Sequence, residues 1–289
     1  MSTKTLKPDA AASGTITLGG DLTIHRMGFG AMRLTGDWGA PEGLASANRL
    51  LRHLGKLGIN FIDTADCYGP EINELIIGEA LPHFPKDMIV STKGGLIRGG
   101  PQWFQSDGRP EYLRQCVELS LRRLRVDHFD LYQLHRIDKK VPVEDTLRAL
   151  KEFQKAGKIR HIGLSEVSVA EIEQAQKVVP IVSVQNRYNF GDRKSDDVLN
   201  YCEKHGLGFI AWFPMASGEL TKPGGKLDQA AQSHGVTVGQ LALAWLLHRS
   251  PAIIPIPGTS SIAHLEENTA ASSLRLTDDE WKEIEKAYN

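Results

Sequence analysis

Residues 59–69 read INFIDTADCYG: an apolar run, Ile59 to Ile62, stops at Asp63 and gives way to Thr64, Asp66, Cys67 and Tyr68. A short run of this kind reads as a strand whose polar exit is either a turn or a site. The pattern recurs. Further β-like runs lie at 27–32, 88–92, 129–134, 158–164, 181–185, 208–212 and 252–256, which with 59–63 makes eight. Between them apolar residues return every three or four positions, as in Leu113, Val117, Leu121 and Leu124 or Val143, Leu147, Leu150 and Phe153, the spacing of amphipathic helices.

Three helix starts carry capping boxes, at Ser168 to Glu171, Thr237 to Gln240 and Thr277 to Glu280, where a hydroxyl accepts from an otherwise unpaired backbone donor. The segment QLALAWLLHR, residues 240–249, is apolar nearly all round and predicts a helix buried between layers. Eight strand–helix units without a linker or composition break point to one (β/α)8 barrel over residues 14–289, with a doubly wound sheet as the alternative. Ile16, Leu18, Leu22 and Ile24 around Gly19-Gly20-Asp21 predict an N-terminal β-hairpin that acts as a lid. Residues 1–13 read as a flexible tail.

The chain has 289 residues and 41% hydrophobic content, enough for a large core. Its 34 basic and 35 acidic side chains nearly cancel, which argues against nucleic acid or an anionic membrane as partner. Cys67, Cys116 and Cys202 are too few and too far apart for a disulfide framework or a metal motif, so a reducing cytoplasm is expected and no metal site. No segment resembles a signal peptide or a membrane span. Nothing in the pattern asks for a partner subunit, and a monomer is expected.

In such a barrel the chemistry collects just after the C-terminal ends of the strands. Asp63 ends the second strand, Lys93 follows the third, His135 the fourth, Ser165 and Glu166 the fifth, and Gln185 ends the sixth. Taken singly, each is more simply a turn or cap residue. Their recurrence at one edge favours a shared rim. A tyrosine, with a pKa of about 10, is a poor proton donor at neutral pH. A lysine beside it favours the phenolate and lowers that value, an aspartate holds the lysine, and a histidine opposite can hydrogen-bond a substrate oxygen. Such a set serves a reaction in which a carbonyl oxygen gains charge and then a proton.

The strings FIDTADCYG, STKGG, LRRLRVDHFDLYQLHRID, GKIRHIGLSEVS, SVQNRYN and IPGTSSIAHLEEN resemble, in order and spacing, the motifs of the aldo-keto reductase superfamily from about Met27 to Asn268. The resemblance implies a catalytic tetrad of Asp63, Tyr68, Lys93 and His135, with Tyr68 as general acid and a nicotinamide cofactor exchanging the hydride. It also implies that Ser165, Glu166 and Gln185 hold the carboxamide, that Trp212 stacks on the ring, and that Gly30 and Met32 line the same pocket. Phosphate groups are expected at the loops after strands seven and eight. Those loops contribute Phe213, Met215, Ser217 and Gly218, then Gly258, Thr259, Ser260, His264, Glu267 and Asn268. GFGAMR, residues 28–33, has two of the three glycines of a Rossmann fingerprint and no acidic residue at the required distance, so it is set aside.

Gly258 and His264 stand where NADPH-selective relatives often carry Lys and Arg, Glu166 where Asn is common, and Trp212 where Tyr is common. NADP(H) is favoured, since His264, Ser260 and Ser261 can meet a 2′-phosphate, and NAD(H) is the alternative. Cys67 has no assigned base and reads as a turn residue. The arginines of LRRLR, 121–125, read as the outer face of a helix, Asp127 and Asp130 as turn and strand-edge residues, and His161 and His205 as structural. The loop 94–108 is expected to cover the site, with Trp103 and Phe104 either walling the substrate or anchoring the loop. One short helix, 277–287, follows the barrel, so an open pocket is expected. The branch most resembled includes pyridoxal reductases, which makes pyridoxal one carbonyl to test. The rival readings are a regulatory cofactor-binding protein on this scaffold and a barrel isomerase or lyase acting on a phosphorylated substrate.

Overall fold

The computed structural model describes residues 6–35, 44–82, 84–216, 220 and 224–288. Two antiparallel strands, β1 (Thr15–Leu18) and β2 (Leu22–His25), form the expected hairpin. Eight parallel strands follow in one sheet: β3 (Phe29–Gly30), β4 (Phe61–Asp63), β5 (Ile89–Gly94), β8 (Phe129–Leu134), β9 (Ile159–Ser165), β10 (Ile181–Arg187), β11 (Gly208–Trp212) and β12 (Ile253–Pro255). They coincide with the eight runs read from the sequence. The ends of the sheet meet where Gly28 N donates to Pro255 O at 3.1 Å and Gly30 N to Pro257 O at 3.2 Å. The result is a (β/α)8 barrel.

The outer layer comprises α1 (Leu44–Leu54), α2 (Ile72–Ala80), α3 (Pro110–Leu124), α4 (Val143–Lys155), α5 (Val169–Gln176), α6 (Asp196–His205), α7 (Lys226–His234), α8 (Val238–Arg249) and α9 (Ile262–Ala270), and α10 (Asp278–Tyr288) closes the described chain. Ser168, Thr237 and Thr277 each accept from the backbone three residues on while the acidic or amide partner returns the bond, so all three capping boxes form. In α8 every residue from Val238 to Leu246 is buried, as its all-round apolarity requires.

Alternate residues of a strand share a face, and inside the barrel this makes layers. Phe61, Ile89, Leu131, Ile210 and Ile254 pack with Leu18, Leu22 and Ile24 of the hairpin, which thereby closes the end where the strands begin. Two residues further along, the same faces present Asp63, Ser91 and Gln133. The apolar plug therefore gives way to a polar layer on the side where the strands end.

Three expectations are corrected. The tail read over 1–13 is packed at its end: Asp9 caps a 3-10 turn at Ala10–Ser13, and Ala10 is fully buried because it joins the main apolar cluster. Arg123 of LRRLR does not lie on the outer face. It is buried with its Nε 2.7 Å from Glu74 Oε2, because Glu74 of α2 is fully buried and needs a cation from α3; only Arg122 and Arg125 of that string are exposed. The loop 94–108 is largely a second hairpin, β6 (Leu96–Gly100) and β7 (Trp103–Ser106). Its Trp103 and Phe104 are 49% and 44% exposed, so they do not anchor the loop by burial. Arg98 covers the Phe104 ring at 4.3 Å, while Leu96 packs with Ala65, Cys67 and Tyr68.

Candidate active site

Strand ends bring four side chains together. Lys93, at 0% exposure, sends Nζ to Asp63 Oδ2 at 2.6 Å, to Thr64 O at 2.8 Å and to Tyr68 Oη at 3.4 Å. His135 faces Tyr68 edge-on, with ring centroids 5.9 Å apart. The turn after β4 carries the phenol to this place: Asp66 N donates to Lys93 O, and Tyr68 N to Ala65 O. Asp63, Lys93 and His135 are buried, whereas Tyr68 is half-buried.

A buried ion pair needs its remaining valences filled. Asp63 Oδ1 accepts Gln133 Nε2 and Gln185 Nε2, each at 2.9 Å. Gln133 was not singled out from the sequence, although it sits between Leu131 and His135 at the strand period of two and so shares their inward face. The signal was present in FDLYQLH. Burial pushes the Lys93 pKa down, but Asp63 and then Tyr68 outweigh it and leave it above the ordinary lysine value. For Tyr68 the balance falls the other way from the simple expectation: burial raises the phenol above its ordinary value, and Lys93 only partly offsets this. Burial, Lys93 and Arg136 hold His135 well below the ordinary histidine value, so its imidazole is neutral.

Cys67, read as a bystander, touches the site. Its Sγ is 3.6 Å from His135 Nδ1. With an oxygen of Asp66 these atoms lie within 4.8 Å of one another, a grouping of metal-ligand type that linear spacing does not reveal. Burial, with Asp66 adding to it, pushes the Cys67 thiol far up, so the sulfur stays protonated beside the ring.

The residues expected at the cofactor fall into two groups. Near the tetrad, Ser165 is buried at the end of β9 and its Oγ accepts from Arg136 at 3.1 Å, while the amide nitrogen of Gln185 is committed to Asp63. Glu166 adopts the left-handed conformation at φ 55°, which a non-glycine residue holds at a cost of order 1–3 kcal/mol. Its Oε1 accepts Trp212 Nε1 at 2.6 Å and Arg187 N at 2.7 Å. That oxygen fixes the indole at the mouth. Trp212 is half-buried, and Phe213, also left-handed at φ 61°, meets it edge-on. Gly30 lies under the seam of the barrel, and Met32 is 46% exposed beyond it.

The second group lines a pocket of about 310 Å³ between the N-termini of α8 and α9. Met215, Gly258, Thr259, His264, Glu267 and Asn268, which the resemblance places at the cofactor, line it, and so do Thr237, Val238 and Gly239, of which the sequence shows only a helix start. Ser260 is exposed beside it, and Ser217 and Gly218 lie outside the described residues. Gly258 has to be small, since a Cβ there would stand 2.8 Å from Gly30 O. Asn268, 6% exposed, has no side-chain partner among the described residues. An amide that lines the pocket with no side-chain hydrogen bond among the described residues, between two helix N-termini, is suited to a polar, anionic ligand such as a dinucleotide.

A barrel with this mouth and this pocket falls in the class of barrel oxidoreductases. The chain belongs to the aldo/keto reductase family, whose model matches residues 26–289. It is 48% identical over 280 residues to an uncharacterized oxidoreductase of Schizosaccharomyces pombe, covering 96% of this chain and 91% of that one. It is 39% identical over 276 residues to pyridoxine 4-dehydrogenase of Escherichia coli, covering 93% and 96%. Among solved structures, a glycerol dehydrogenase from Gluconobacter oxydans superposes with a TM-score of 0.87 at 29% identity, covering 96% and 95%. An aldo/keto reductase from Klebsiella pneumoniae in complex with NADP and acetate does so with 0.81 at 26%, covering 95% of each. The chain is thus a nicotinamide-dependent reductase of carbonyl groups. Among the described residues no helix is long and apolar enough to cross a membrane.

Proposed function

We propose that the chain reduces small aldehydes or ketones with NADPH in preference to NADH, in a reducing cytoplasm, with Tyr68 as proton donor. The observation that carries the catalytic assignment is the bridge made by Lys93 between Asp63, at 2.6 Å, and Tyr68, at 3.4 Å. The cytoplasmic reading is supported by three cysteines that are all buried and unpaired.

When bound, nicotinamide supplies the hydride to the carbonyl carbon. The protein supplies the rest. Neutral His135 hydrogen-bonds the carbonyl oxygen, and Tyr68 gives it a proton. The phenol is a reluctant acid at rest, because burial raises its pKa. Lys93 is held cationic by Asp63, and its charge steadies the phenolate that forms. Gln133 and Gln185 keep Asp63 oriented, so the ammonium stays aimed. In the alcohol-oxidising direction Tyr68 takes the proton back.

The pocket between α8 and α9 would hold the adenosine end, with Asn268, Thr259 and Glu267 as its polar contacts and His264 with Ser260 as partners for a 2′-phosphate. Trp212, fixed by Glu166, would face the nicotinamide. NADPH is supported by the NADP and NADPH complexes among similar structures. Since His264 replaces a permanent cation, the preference over NADH is expected to be modest.

The test is a steady-state comparison of NADPH and NADH with pyridoxal, a benzaldehyde and a sugar aldehyde. Pyridoxal enters because pyridoxine 4-dehydrogenase is among the relatives. Tyr68→Phe should abolish turnover while a cofactor titration still quenches tryptophan fluorescence. Full turnover in that variant would sink the assignment of the proton donor, and equal efficiency with NADH would sink the preference.

A further inference from the structure

His135 is neutral, and a neutral imidazole carries a single N–H whose position decides what the ring can do. With the proton on Nε2, the ring can donate to a carbonyl oxygen beyond it; with the proton on Nδ1, Nε2 can only accept. Something must choose. Among the described residues, one side chain meets Nδ1, the thiol of Cys67 at 3.6 Å, and both residues are buried, at 3% and 5% exposure.

We propose that Cys67 is a positioning residue: its S–H donates to His135 Nδ1, which places the imidazole proton on Nε2 and aims that N–H at the carbonyl oxygen. This rests on the reading of His135 as the group that hydrogen-bonds the carbonyl. Two arrangements of the pair exist. An unprotonated ring nitrogen is a good acceptor, while sulfur is a weak one, so S–H···N is favoured over N–H···S. The thiol has its proton to give, since burial and Asp66 push its pKa up and Lys93 offsets this only in part. The ring has little room to turn over: His135 is 5% exposed and meets Tyr68 edge-on. Leu96 and Ala65 close over Cys67, which keeps water from replacing the thiol.

The test reads the tautomer directly. Imidazole 15N shifts of the full-length protein, with the His135 signals assigned by their loss in His135→Gln, should show the proton on Nε2. Cys67→Ala should move those shifts toward a mixture and lower kcat about tenfold, the scale of one neutral hydrogen bond, with cofactor affinity unchanged. Cys67→Ser keeps a donor and should restore both readouts. A wild-type ring protonated on Nδ1 would overturn the proposal, as would Cys67→Ala with unchanged shifts and unchanged kcat. Should Cys67→Ala not fold, the wild-type spectrum and Cys67→Ser still decide. The tautomer is read without substrate, so failure here differs from failure of the catalytic reading, which shows as turnover by Tyr68→Phe.

Discussion

Replacing Lys93 with methionine keeps the length of the side chain and removes its charge. In the native protein Lys93 Nζ is 2.6 Å from Asp63 Oδ2, and the two side chains are 0% and 2% exposed. The variant leaves a buried carboxylate with the Gln133 and Gln185 amides as its remaining donors. Removing one partner of a buried pair typically costs about 3–5 kcal/mol. At roughly 2 °C per kcal/mol for a chain this long, Tm should fall by about 6–10 °C. Asp63→Asn should cost a similar amount, because it strands the ammonium. The double variant Asp63→Asn/Lys93→Met holds no unpaired charge and should be more stable than either single variant, a coupling of about 2 kcal/mol or more. Lys93 has its pKa raised in the fold, so the pair's contribution is complete below the ordinary lysine value of 10.5 and is lost as pH rises through the higher folded value. Urea titrations of the four proteins at pH 7 make the measurement, with a wild-type series above pH 10 beside them. If Lys93→Met costs less than about 1 kcal/mol, the reasoning from burial is wrong.

Other consequences can be checked in the same way. Burial, then Glu74, pushes the Asp66 carboxyl from 3.8 to about 7, so the folded state keeps a proton that the unfolded chain has lost between those values, and stability drains away as pH rises across that window. Asp66→Asn should therefore match wild type below pH 4 and exceed it at pH 8 by about 2–4 kcal/mol in urea unfolding; equal curves at pH 8 refute this. Tyr132 buries a hydroxyl that has no partner among the described residues, so Tyr132→Phe should hold or raise the urea midpoint, by about 1 kcal/mol at most. Gly78→Ala would set a Cβ 2.4 Å from Arg123 O, backbone that cannot yield cheaply, and should lower stability by about 1–3 kcal/mol despite the better helix propensity of alanine.

What could be read early and what could not divides along physical lines. The eight strands and the capping boxes were legible because each is a local pattern: side-chain alternation, a three-residue hydroxyl-to-acid spacing, an apolar run of limited length. The rim was legible for a related reason. A barrel places every strand end on one side, so Asp63, Lys93 and His135 had to share a mouth once the fold was granted. The tail, Arg123 and the 94–108 hairpin were misread because composition stood in for packing. Alanines at 10–12 look like a linker, and an arginine on a helix looks solvated, until a neighbour buries it.

The sequence by itself determined the order of strands and helices, the edge where chemistry gathers and the residues expected there, since these follow from periodicity and connection. Only the tertiary structure decided whom each polar group meets. Glu166 turns to Trp212, Gln133 and Gln185 converge on Asp63, and Cys67 finds His135 across 68 positions of chain. Hydrogen bonds of this kind depend on separations of a few ångströms between strands that no linear spacing encodes. The same burial that assembles them sets their charge states, which is why Tyr68 emerged as a phenol held against ionisation and not one already eased toward it.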